Sequence, residues 1–262
     1  MMQSHRQAWG ALFTAGISAL LLLAGGAVFA QGQSASHAGK AVRIGQGEAH
    51  TVVRTGPKGE LSAIGIVMTA GTLEGLPTAP AGGHAVFPYL LPMPTTGPRT
   101  VVDHVVVDWE AAGHPPPGVY DIPHFDFHFY LVSRDEVMKV RFDGPDDSAA
   151  PAQQPPTELM PPGYVLPPGT AVPQMGVHAV NPSAAEFQKQ AFTATFIYGY
   201  YNKRLTFIEP MASLAYLKSK PAFSAPVPRP SAYSKPGAYP STYRITYDTA
   251  RQVYEIILED LK

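Results

Sequence analysis

The chain has no cysteine and little charge: none of its 262 residues is Cys, and 15% are Asp, Glu, Lys or Arg. Without Cys there is no disulfide, no thiol for lipid attachment and no cysteine-rich structural zinc site. A net charge of −1 offers no basic surface for nucleic acid or for an anionic membrane. A phosphate loop, a GxGxxG turn and a nucleophile elbow are also missing. Proline is the opposite case. Its 28 copies are spread along the chain and argue against long helices, because each lacks the amide donor and clashes with the preceding turn. A hydrophobic fraction of 45% is enough for a packed core.

The first thirty residues read as an export signal. Arg6 gives a positive start, Ala11 to Ala27 carries no charge, and Val28 and Ala30 place small residues before Gln31 as a cleavage site requires. The rival reading is an uncleaved anchor, but the apolar run is short for a span and the small-residue site follows it directly. The expectation is a periplasmic or extracellular protein with no membrane contact after cleavage. With no disulfide, such a protein relies on packing, a metal or self-association.

Residues 31–45 are Ser/Gly/Ala-rich and read as a flexible leader. From there to the end, residues 46–262, short strand patterns alternate with Pro-rich stretches. "EAHTVVRTGPKGELSAIGIVMT" and "FTATFIYGYYNKRLTFIEPM" read as hairpins, as does the C-terminal "YRITYDTARQVYEIILEDL". "AVFPYLLPMP" suits an edge strand, since Pro cannot donate to a ladder. "SRDEVMKVRF" has Ser133 and Glu136 at capping-box spacing for a short helix, and "ASLAYLKS" suits another. Pro145 to Pro173 is a long surface loop or lid. No internal repeat or clean linker divides the chain. The expected fold is all-β: one antiparallel β-sandwich or barrel with long Pro-rich loops and one or two short helices.

Within that frame, "PHFDFHFY" stands out. On an extended strand His124, Asp126 and His128 share one face, and Phe125, Phe127 and Phe129 the other. Such a strand is often half exposed, with its polar face in water. A merely wet face draws on Thr, Ser, Lys and Glu, whereas His, Asp and His form a ligand set or an acid/base set. The Cα atoms of residues 124 and 128 lie about 13 Å apart on a straight strand. A metal sits roughly 6 Å from the Cα of a ligating His, so one ion cannot hold both histidines at a tetrahedral angle. An adjacent pair, His124 with Asp126 or Asp126 with His128, is expected to share it, with the remaining His hydrogen-bonded to a ligand or substrate. His178, after Gly176, and Glu209, at the end of an apolar row, complete the expected set. Two His and two carboxylates suit zinc, manganese or iron. His104, Asp108 and His114 form a second tier, on a strand face and a Pro-stiffened loop. His37, His50 and His84 receive no role.

Three phrases, "DWEAAGHPPPGVYDIPHFDFHFY", "PQMGVHAVNP" and "TFIYGYYNKRLTFIEPM", together resemble the TTHB-two-ten-like family of uncharacterised exported bacterial β-proteins, named after a Thermus protein. The likeness runs from about Gln46 to the C-terminal hairpin. It implies an all-β fold, self-association into a homo-oligomer and no established activity. In that family an aromatic stands in place of Ala179 and an acid in place of Asn181, a difference that weakens a contact near His178. A lesser likeness is to cupins: "PGTAVPQMGVHAVN" is similar to their second metal motif and "DFH" to the paired His of the first, with altered spacing and Asp in place of a His.

Three functional readings follow. The first is an exported protein that binds a divalent metal or small ligand through the His/Asp/Glu cluster. The second is a metal-dependent enzyme, of hydrolase, isomerase or oxygenase type, using the same cluster. The third is a structural protein whose histidines and acids form a metal-free hydrogen-bond network. An open coordination position separates the second from the first.

Overall fold

The computed structural model describes residues 33–262; the expected signal lies outside them. The N-terminal part supplies strands β1 (Ala35–Ala38), β2 (Val42–Ile44), β3 (Gly47–Thr55) and β4 (Leu61–Thr69). There follow β5 (Val86–Pro92), β6 (His104–Glu110), β7 (His124–Tyr130), β8 (Ala171–Val172), β9 (Gly176–Ala179), β10 (Ala194–Tyr201) and β11 (Arg204–Ser213), then β12 (Ala222–Pro226), β13 (Thr242–Asp248) and β14 (Val253–Glu259). The helices are short: α1 (Arg134–Val137) and α2 (Leu214–Lys218). Among the described residues no helix is long and apolar enough to cross a membrane.

All pairings are antiparallel and build two sheets. One runs in the order β1-β3-β4-β14-β13-β12, with β2 also on β3; the other runs β5-β6-β7-β11-β10-β9-β8. The expected hairpins are β3–β4, β10–β11 and β13–β14. Asn202 and Lys203 turn the middle one with φ of 48° and 69°, the positive values that a tight right-twisted hairpin demands. Pro88 and Pro92 sit on β5, an edge strand, as their missing amides require. At α1, Ser133 Oγ accepts from the Glu136 amide while the Glu136 carboxylate accepts from the Ser133 amide, completing the capping box.

The sheets meet through one apolar core. Phe125, Phe127 and Phe129 of β7, with Val105, Val107 and Trp109 of β6, pack with Ile64, Ile66 and Met68 of β4 and Ile256 of β14. Each fully buried side chain of this size contributes about 1.5–3 kcal/mol of transfer free energy. The leader needs correction. Residues 35–38 and 42–44 are strands, not flexible chain, because both flank β3 and pair their backbone with it. At β1 small and polar residues hid a strand that pairing, not side-chain burial, stabilises; β2 also buries Ile44 in the core.

Two His and carboxylate groups on the outer face of one sheet

The face of β7 opposite its phenylalanines points away from the core, under the loops that cover the second sheet. Register brings four strands into one polar row. Glu110 and Asp108 of β6 stand opposite His124 and Asp126 of β7. Glu209 of β11 lies beside His128, and His178 of β9 follows across β10, opposite Gly199. Apolar side chains bracket the row: Tyr120, Phe192, Ile197 and Met211 at one end, Tyr130, Val137 and Phe207 at the other. The row is therefore dry, not wet. His124, Asp126, His128, Asp108, Glu110 and Glu209 are all buried.

This burial poses an electrostatic problem. Four carboxylates are enclosed, and Asp108 and Asp126 face each other across two strands, an arrangement that repels. Among the described residues no Lys or Arg pairs with any of the four; every ion-pair partner is an imidazole. Buried charge of one sign without a counter-charge is among the most expensive arrangements in a fold, and buried charges are normally paired or bound to a metal.

The ring nitrogens show how it is resolved. Nδ1 of His124 lies 2.6 Å from the Ile122 carbonyl, that of His114 2.7 Å from the Pro115 carbonyl, and that of His178 3.0 Å from the Thr170 carbonyl. A carbonyl only accepts, so each Nδ1 carries the hydrogen and donates it. In the neutral ring each Nε2 then presents a bare lone pair, and each lies near a carboxylate. His124 Nε2 is 3.1 Å from Asp126 Oδ1, His114 Nε2 is 3.4 Å from Asp126 Oδ2, and His178 Nε2 is 4.0 Å from Glu209 Oε2. His128 spans two acids, with Nδ1 at 3.1 Å from Asp108 and Nε2 at 3.3 Å from Glu209. Despite these distances, His124 Nε2, Asp126 Oδ1, both His128 nitrogens, Asp108 Oδ2 and Glu209 Oε2 make no hydrogen bond. The atoms are close but do not point along each other's donor direction. An ion with tetrahedral bonds of about 2.0–2.1 Å spaces its ligands by about 3.3–3.4 Å; the nitrogen–oxygen pairs within the two sets run from 3.1 to 4.0 Å. Donation of Nδ1–H to a backbone carbonyl or carboxylate is also how metal-bound histidines are held in orientation.

The donor atoms fall into two groups. His114, His124 and Asp126 form one, here called the outer group; His128, His178 and Glu209 form the inner. The expectation of one point shared by Asp126 and His178 is thus corrected. Strand geometry keeps His124 and His128 apart, and each recruits its own partners: His124 those of the covering loop, His128 those of β9 and β11. His114 is brought in by residues 111–123, where Gly113 turns with φ of 74° and the His114 amide donates to the Tyr120 carbonyl. Asp108 backs His128. His104 joins neither group; it stacks on Tyr130 and bonds Asp103. The sequence reading passed over Glu110 and gave His84 no role, yet His84 Nε2 lies 2.9 Å from Glu110 Oε2 beside the outer group. Glu110 had a signal, since it continues the alternation of His104 and Asp108; His84 is a loop residue placed only by the fold.

Gly199 makes room for the inner group. A Cβ there would lie 2.0 Å from the Phe207 ring, and that ring packs edge-on to His128 at 4.8 Å and against His178 at 5.2 Å.

The fields in the cluster favour held protons at His114, His128, Glu110 and Glu209 and oppose them at His178 and Asp126. Burial pushes the His114 imidazole down, but the Asp126 carboxylate outweighs it and raises the group to about 9. His128 is likewise raised to about 9, burial being overcome by Glu209 and Asp108. Burial, and after it the Asp126 charge, lifts Glu110 to about 7. Burial lifts Glu209 to about 8 against the lowering pull of His128, and burial drops His178 to about 4. Asp126 is held far below the usual carboxylate range, its burial outweighed by His124 and His114.

Residues 57–109 match the TTHB210-like family. Its description is "Hypothetical protein TTHB210". The matched stretch covers β4, β5 and most of β6, so it contains His84, His104 and Asp108 and ends just before Glu110 and β7. No curated protein and no solved structure matches the chain.

Proposed function

We propose that this chain is an exported β-sandwich protein that binds divalent transition-metal ions, one at each group of histidines and carboxylates. The observation that carries the reading is the set of buried nitrogen and oxygen atoms lying 3.1–3.3 Å apart without hydrogen bonds between them. A cation between such atoms takes the place of the protons that His114 and His128 otherwise hold and balances more of the charge of the four buried acids. Imidazole with carboxylate, without thiolate, suits zinc, manganese or iron. The export part rests on Arg6, the uncharged run and the small residues before Gln31.

Metal uptake by the mature chain, stripped with a chelator and dialysed against each ion, tests this. The expected result is two ions per chain by elemental analysis, with affinity rising from pH 6.5 to about 9. The sign follows from the proton count. His114 and His128 hold protons up to about 9 and must release them to an ion, so lower pH opposes binding. The same shifts fix the metal-free behaviour. Across this window His114, His128 and Glu209, itself raised to about 8, bind protons in the native state that the unfolded chain has lost. Metal-free stability therefore falls as pH rises, and the metal-induced increase in Tm grows. No uptake, with a Tm indifferent to metal at every pH, would leave the hydrogen-bond network as the account.

A further inference from the structure

The two groups differ in access. In the inner group His128 and Glu209 are each 1% exposed and His178 is 15% exposed, with the Phe207 and Tyr130 rings against them. In the outer group His124 and Asp126 are buried, but the His114 side chain is 26% exposed. Beside it stands a pair that the metal reading leaves unused. Glu110 is the cross-strand partner of His124. Its Oε2 is buried without a hydrogen bond, although His84 Nε2 is 2.9 Å away. His84 precedes β5 and is 49% exposed. Polar groups therefore run from solvent at His84, through Glu110, to the outer group. In the inner group the most exposed side chain is His178, at 15%.

Two imidazoles and one carboxylate leave an ion with coordination positions to spare, and in accessible sites these are taken by water or by an incoming molecule. We propose that the outer centre binds a small exogenous carboxylate or carbonyl compound through an oxygen on its ion, with His84 and Glu110 holding that molecule's other polar end, whereas the inner centre is closed and structural. The chemistry fits the pair: His84 offers a ring N–H, Glu110 accepts or, when protonated, donates, and the two now face each other without bonding. The inference rests on the metal-binding reading above, but it is a claim about access and not about uptake.

The test uses the mature chain loaded with Co²⁺ and titrated with acetohydroxamate, an oxygen-donor probe, while the d–d absorption is followed. Loss of metal to EDTA is then timed. The expected result is a spectral change saturating at one acetohydroxamate per chain, and metal release in two phases. His114→Ala abolishes the fast phase and the spectral change and keeps the slow phase. His84→Ala alters a half-exposed loop residue and leaves the strands intact. It keeps both ions and weakens acetohydroxamate about tenfold, as the loss of one charge-assisted hydrogen bond would. Release in a single phase, a spectral change that survives His114→Ala, or an unchanged acetohydroxamate Kd in His84→Ala overturns the proposal and leaves metal binding standing. Failure to take up any ion overturns both.

Discussion

Asp126→Ala is expected to lose one of two bound ions and to lower the affinity of the outer centre by more than about 100-fold. Asp126 touches both imidazoles of that centre, His124 through Oδ1 and His114 through Oδ2. Losing a residue that merely supports a metal ligand costs about 10–100-fold in affinity; losing a ligand costs more. His128, His178 and Glu209 are untouched, so the inner ion stays. Elemental analysis after dialysis reads the outcome, and two ions retained at wild-type affinity would remove Asp126 from the site. The metal-free variant gives an independent reading. Without the carboxylate, burial dominates at His114, and its imidazole falls from about 9 to the ordinary value or below, a change that NMR titration of the ring detects.

Phe127→Ala, one residue along the same strand, is expected to do the reverse: keep the metal and cost stability. Phe127 is 0% exposed, stacks beside Phe125 at 6.1 Å and belongs to the core shared by the two sheets. Truncating a buried Phe costs about 3–5 kcal/mol. For a domain of this size each kcal/mol moves Tm by about 2–4 °C, so a drop of roughly 6–20 °C should appear in a thermal melt. The folded variant should still hold two ions, because its donor atoms lie on the other face. A Tm within about 2 °C of wild type would mean that this face is not the core.

The alternation in "PHFDFHFY" made both faces legible. Period-two patterning assigns the phenylalanines to the core and the polar trio to one side, and His178 and Glu209 follow as polar residues that end or interrupt apolar rows. The sequence could not say that the polar side is buried. That depends on residues 111–123 and on the Pro145–Pro173 loop, whose Thr170 carbonyl anchors His178. Nor could it say which imidazole joins which acid, because pairing across β6, β7, β11 and β9 is set by register between segments far apart in the chain. The 13 Å argument kept His124 and His128 from sharing an ion, and the two histidines do lie in different groups of donor atoms. Its consequence, two groups instead of one, appeared only once His114 and His178 were placed.

The most direct measurement is anomalous diffraction from crystals soaked in zinc, collected above and below the zinc edge. The account predicts two anomalous peaks per chain, one bonded at about 2.0–2.2 Å to His114 Nε2, His124 Nε2 and Asp126, the other to His128 Nε2, His178 Nε2 and Glu209. Absence of anomalous signal at both positions, with water bridging the histidines and acids instead, would contradict it.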